Sequence, residues 1–300
     1  MIELLRDSVQ TWECDQMGHL NVQFYVERAE AGAAALESSL RRAEARREVE
    51  LRLLELHIRF HREVRPGAAL VLRGGFLEAQ TRCGDLALCL ELVRLTAEEP
   101  VLAASFTLDL TVHRSGEPVE VPSAWRELVA STLGELPATS ARRGLDAHQA
   151  REQASLAAAD ELGLLPIQRG PVAERECGAQ GLSAAAIMGR LSAGIPHLIL
   201  SLGGVDRSEA NLGGAALEYR FRFRRAVAAG ASVVVRSGLA GVNAKTRTFV
   251  HWVLDAESGD AVATAEAVAV SLDLEARRLA TLSEEAVAAY QARVVPGLSL

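Results

Sequence analysis

The run Glu13-Cys14-Asp15-Gln16-Met17-Gly18-His19-Leu20-Asn21-Val22-Gln23-Phe24-Tyr25 leads into a helix. Beyond it, apolar residues recur with helical spacing at Tyr25, Ala29, Ala33, Leu36 and Leu40, while Glu27, Glu30, Glu37, Arg41 and Arg42 occupy the other face. A carboxylate, an imidazole and an amide therefore stand at the mouth of one helix. First-turn backbone amides lack an intrahelical acceptor and carry the positive end of the helix dipole, so they suit a carbonyl oxygen gaining negative charge. Two readings of the run stay open on spacing alone. Asp15 or Asn21 caps the helix, as Asp and Asn commonly do, or Asp15 carries acyl-transfer chemistry beside those amides.

The run is repeated. Glu13-Cys14 returns 163 residues later as Glu176-Cys177, and Gly18 returns as Gly181. Leu56, Ile58 and Phe60 alternate with His57, Arg59 and His61, and the same shift gives Tyr219, Phe221 and Phe223 alternating with Arg220, Arg222 and Arg224. That is strand periodicity with one apolar face. Val64 and Gly67 meet Val227 and Gly230, and Leu70-Val-Leu-Arg meets Val233-Val-Val-Arg. A shift of 161 then lays Val101 to Leu108 over Val262 to Ala269, as expected if one turn has shortened. Each copy reads as a first strand, a long helix, then antiparallel strands joined by short turns such as Arg82-Cys-Gly-Asp85 and Glu257-Ser-Gly-Asp260.

The motif Asp-x-x-Gly-His-x-Asn-x-x-x-Tyr before a long Ala-rich helix resembles the hotdog-fold acyl-CoA thioesterases, in particular the 4-hydroxybenzoyl-CoA thioesterase-like group. The resemblance covers both copies. It implies an α+β fold of two tandem hotdog domains, each a long helix wrapped by a curved antiparallel sheet, paired as an intrachain pseudo-dimer. The divisions expected are residues 1–126, a helical connector over 127–168, and 169–300 with a degenerate motif. The resemblance also implies hydrolysis of an acyl thioester, acyl-CoA or an acyl carrier protein thioester. Asp15 takes the place of the base or nucleophile, Gly18 the tight turn in contact with substrate, and the Val22 amide the oxyanion contact. His19 and Asn21 would position water or the carboxylate, and Tyr25 would pack near the acyl group. Asn243, Lys245 and Thr246 lie where relatives carry residues that contact the nucleotide end of coenzyme A.

Only the first copy has the whole motif. Asp15 becomes Gly178, and the second run, Cys177-Gly-Ala-Gln-Gly-Leu-Ser183, is one residue shorter. One working site per chain is the expectation. Two rivals remain: a hotdog enoyl-thioester hydratase, whose Asp and His stand at another spacing, and a non-catalytic acyl-thioester binding protein.

Composition sets outer limits. Three hundred residues with 49% apolar content can fill two modest cores. A net charge of −7 disfavours nucleic acid. Neither a membrane-spanning run nor a signal-peptide start is read in the chain, so a cytoplasmic protein is expected. Its four cysteines lack paired CxxC spacing, which points to reduced thiols. His57 and His61 are expected side by side on the outer face of a strand, without the converging ligands that zinc demands, and no metal or cofactor is expected. Lys245 is the sole lysine, and this preference for Arg suggests a GC-rich bacterial genome. A homo-oligomer of such double chains stays open.

Overall fold

The computed structural model describes residues 1–43, 49–77, 85–145, 154–203, 212–273, 275 and 278–300. By contacts the chain divides into two units, Met1–Arg142 and Arg143–Leu300.

In the first unit β1 (Ile2–Ser8) precedes α1 (Val22–Ala43), and four strands follow: β2 (Val49–Phe60), β3 (Ala69–Leu77), β4 (Leu86–Arg94) and β5 (Val101–Arg114). They form an antiparallel sheet in the order β1-β3-β4-β5-β2, with the two-residue β6 (Glu117–Pro118) folded back on β5. α1 lies across β1 and β3 and buries Tyr25, Val26, Ala29, Leu36 and Leu40. The helix can approach closely because a Cβ at Gly32 would run into the Leu72 side chain of β3. α2 (Ser123–Thr132) follows, with Trp125 fully buried.

The second unit repeats this order. α3 (Leu156–Glu161) leads into β7 (Leu165–Pro171), the short pair β8 (Cys177–Gly178) and β9 (Gly181–Leu182), and α4 (Ala184–Ser201). Then come β10 (Leu212–Phe223), β11 (Ser232–Val242), β12 (Thr246–Asp255) and β13 (Ala261–Asp273), with β14 (Arg278–Ala280) paired to β13 and α5 (Glu284–Gln291) near the end. The sheet order β7-β11-β12-β13-β10 matches β1-β3-β4-β5-β2 strand for strand. A Cβ at Gly194 of α4 would likewise run into Ile167 of β7. The architecture is two tandem hotdog domains of the α+β class, the fold the repeat implied.

The duplication extends to individual hydrogen bonds. Val9 N donates to Ala68 O and Gly67 N to Val9 O; Val172 N donates to Ala231 O and Gly230 N to Val172 O. Register breaks recur too, between Leu53 and Glu55 in β2 and between Ala216 and Glu218 in β10. Each break is followed by a buried glutamate. Glu55 pairs with Arg142, and Glu218 accepts from the amides of Arg143 and Gly144.

Three sequence expectations are corrected. His61 N and Arg62 N both donate to Ala103 O, whereas Arg224 N and Arg225 N both donate to Val262 O, so the last long strands correspond at a shift of 159, not 161. Two turns have each lost two residues, and an even shift keeps every side chain on its face. His57 is buried, not outward. It shares a sheet face with its cross-strand neighbours Thr107 and Cys89, and residues 138–142 cover that face: Ser140 Oγ meets Cys89 Sγ at 3.5 Å and Arg59 donates to Thr139 O at 2.8 Å. Arg220 is likewise buried. Finally, α4 is long and apolar enough to cross a bilayer by length and composition, although half of it is buried against the rest of its unit.

The stretch expected to connect the repeats is divided. Its first part packs with the first unit, whereas Leu165 already begins β7. Residues 146–153 of the Ala-rich segment, and the turn at Arg82-Cys83-Gly84, lie outside the described residues. Among the described residues, Cys14, Cys89 and Cys177 form no disulfide.

Candidate active site

The loop from Cys14 to Leu20 is closed at its base by a bridge between those two residues. Within it, Asp15 N donates to His19 O at 2.9 Å and Gly18 N to Asp15 O at 2.9 Å. Gly18 turns the chain with φ +71°, a region that glycine enters without a Cβ penalty. The Asp15 side chain holds the same loop from inside. Its Oδ1 accepts from Met17 N at 2.9 Å and His19 N at 3.2 Å. Among the described residues, Oδ2 receives no protein donor. The carboxylate is therefore fixed through one oxygen and presents the other.

The question of the cap is resolved. Asn21 Oδ1 accepts from Gln23 N at 3.0 Å and Asn21 O from Phe24 N at 3.0 Å, so Asn21 caps α1 and Asp15 does not. Those two bonds use the amides of Gln23 and Phe24. Among the described residues the Val22 amide has no acceptor, as is usual for a first-turn donor.

Two further groups converge on the loop. His19 Nε2 lies 3.1 Å from Glu63 Oε2, an ion-pair distance without an aligned hydrogen bond. Tyr25, buried in α1, meets Phe60 edge to face at 5.2 Å, and its hydroxyl lies near the Val64 backbone. Burial is the main cause that raises its pKa, and the nearby charges of Glu63 and Asp15 add to it. Val64 O in turn accepts from Leu20 N at 2.8 Å. The segment after β2 is thus tied to both the loop and the helix, and this places Glu63 beside His19.

Beneath the loop lies an ion-pair cluster. Arg28, 4% exposed, reaches Glu13 at 3.0 Å and Asp7 at 3.1 Å and donates to Phe24 O at 3.0 Å. Glu13 Oε2 also accepts from Gln10 N at 2.7 Å. Arg190 does the same in the second unit, bonding Glu176 at 2.8 Å and Pro171 O at 2.6 Å, while Glu176 Oε2 accepts from Ala173 N at 2.8 Å. Leu182 N donates to Val227 O there, as Leu20 N does to Val64 O. Ser183 caps α4 where Asn21 caps α1. Asp15, His19, Tyr25 and Glu63 are what this retained frame lacks in the second unit. Gly178 replaces Asp15, Ile187 replaces Tyr25, Ala226 replaces Glu63, and His19 is the residue the shorter loop omits.

Asn243, Lys245 and Thr246 stand elsewhere in the second unit, in the turn between β11 and β12. Asn243 Oδ1 accepts from the amides of Lys245 and Thr246 at 2.9 Å, and its Nδ2 donates to Thr246 Oγ1 at 2.7 Å. Asn243 and Thr246 thus close their own turn, and Lys245 is exposed at its tip. Glu63 and Arg28 were missed by sequence reading. The signal for Glu63 was available, since Val64 had already been matched to Val227 and the neighbouring Glu63 to Ala226 comparison goes from carboxylate to methyl.

The family model of the thioesterase-like superfamily matches residues 9–128 and 189–290, which is well over half of the chain and includes both units. The chain belongs to that superfamily, and its enzyme class is thioester hydrolase. A search by sequence among curated proteins finds no match. Among solved structures it is similar to a 12:0-ACP thioesterase from Umbellularia californica, at 9% identity and TM-score 0.64 over 88% of this chain and 92% of that one. It is also similar to a protein assigned as an oleoyl thioesterase from Lactobacillus plantarum, at 13% identity and TM-score 0.62 over 93% and 96%. An acyl-ACP thioesterase from Bacteroides thetaiotaomicron follows at 8% identity and TM-score 0.58 over 88% and 96%. At such identities these likenesses speak for the shared double fold.

Proposed function

We propose that this superfamily member hydrolyses an acyl-CoA thioester at the loop of Asp15. The observation that carries the reading is the Asp15 carboxylate, pinned through Oδ1 by two loop amides with Oδ2 open, beside the Val22 amide that has no acceptor of its own. A water adding to the thioester carbonyl would give its proton to Asp15 while the oxygen gains charge against the Val22 amide. The tetrahedral species then collapses, the carbon–sulfur bond breaks, and the thiolate takes the proton. In the alternative route Asp15 attacks the carbonyl itself, expels the thiolate, and water cleaves the resulting anhydride. Gly18 and His19 shape the loop, Asn21 orients the helix start, and Tyr25 holds the far side. Lys245, as an exposed point charge, with Asn243 and Thr246 in its turn, is proposed for the phosphates of coenzyme A.

The second reading is an acyl carrier protein thioester, which two of the full-length fold neighbours are named for. Purified protein assayed for free-thiol release against panels of acyl-CoA and acyl carrier protein thioesters separates the two. Asp15→Asn should lower turnover roughly a hundredfold or more, the scale of a positioned base or nucleophile, with little change in substrate binding. Full turnover in a folded Asp15→Asn protein removes Asp15 from the chemistry. Oxygen-18 from labelled water found in Asp15 after repeated turnovers marks an anhydride opened at the Asp15 carbonyl, whereas general-base hydrolysis labels only the released acid.

A further inference from the structure

We infer that Glu63 is the positioning residue for His19, and that the two side chains work as one unit in the hydrolysis proposed for Asp15, a reading on which this inference rests. The contact is direct: Glu63 Oε2 lies 3.1 Å from His19 Nε2, with the imidazole 14% and the carboxylate 52% exposed. The ring nitrogen is buried without an aligned donor or acceptor. An off-axis carboxylate of this kind holds an imidazole in place while its nitrogen can still turn toward water or a leaving sulfur.

The second unit acts as an internal control for the claim. Segment 60–64 is held by the Leu20 N to Val64 O bond, and its counterpart by the Leu182 N to Val227 O bond, so the backbone path survives without a carboxylate at Ala226. Folding of the segment therefore does not call for Glu63. Tyr25 packs edge to face on Phe60, at the start of this segment, only in the unit that has His19 and Glu63. Among the described residues, Glu63 is the charged group within ion-pair range of the His19 ring.

The test is a double-mutant cycle read alongside nuclear magnetic resonance of the histidine rings. Glu63→Ala should lower kcat about tenfold with KM within twofold and Tm unchanged, and Glu63→Asp should recover part of the loss. In a His19→Ala background, Glu63→Ala should cost nothing further, because coupled residues are not additive. The ring resonance that disappears in His19→Ala should move in Glu63→Ala, and this readout needs no turnover. Equal losses from Glu63→Ala with and without His19, or an unmoved His19 resonance, overturn the inference. An Asp15→Asn protein of full activity instead overturns the hydrolytic reading at this loop, so the two failures are distinguishable.

Discussion

At the scale of single residues, the deepest charges serve the frame and not the chemistry. Arg28 is enclosed against Glu13 and the partly exposed Asp7, and removing it leaves the Glu13 carboxylate largely buried without its cation. Arg28→Met should therefore destabilise the protein by roughly 3 kcal/mol, measured as a lower urea midpoint, with the Asp15 loop disturbed as a consequence. His251 makes a different prediction. It is fully buried in the sheet of the second unit, where Ser237 Oγ meets its Nδ1 at 2.7 Å, and burial lowers its pKa from 6.5 to about 4. The unfolded chain takes up that proton first on acidification, so the stability held by the neutral ring is complete above pH 6.5 and is lost as pH falls toward 4. The loss amounts to about 3 kcal/mol over that window. Denaturant midpoints measured from pH 7 to pH 4.5 should fall in the wild type and flatten in a Ser237→Ala/His251→Leu protein.

At the scale of elements, the loop between the first strand and the long helix has been inherited twice and equipped once. The second copy keeps the glycine with positive φ, the bridge, the cap and the Arg–Glu pair. It has room for a side chain at Gly178, since nothing lies within 4 Å of a Cβ built there. Gly178→Asp should consequently fold with an unchanged Tm. Added to Asp15→Asn it should restore no turnover, because Ile187 and Ala226 supply neither hydroxyl nor carboxylate and the imidazole is missing. Recovery of more than a few per cent of wild-type kcat in the double variant would show that a carboxylate and helix-start amides suffice.

At the scale of the whole molecule, the three tryptophans divide into one exposed and two buried. Trp12 is 77% exposed, three residues before Asp15, while Trp125 and Trp252 are fully buried in separate units. Binding of a non-hydrolysable acyl-CoA analogue at the Asp15 loop should change the emission of Trp12 and leave the buried pair unmoved. The signal should vanish in Trp12→Phe and persist in Asp15→Asn. A saturable change retained in Trp12→Phe would place binding away from this loop.

How much of this was legible beforehand follows from what each feature depends on. The two-copy architecture, the long helix that follows the Asp15 loop, and the loss of Asp15 at Gly178 were readable from sequence alone, because periodicity and spacing are local and a duplication supplies its own comparison. The pairing of His19 with Glu63 was not readable, since 44 residues separate them and the Leu20 N to Val64 O bond, with Tyr25 packed on Phe60, brings them together. The fate of His57 was not readable either. Alternation told that it and His61 share a face, but whether that face meets water depends on a segment some 80 residues later folding back over it. Local patterns decide which elements form and how each is turned; which faces are covered, and which distant side chains meet, is decided by packing, whose partners are adjacent in space and remote in sequence.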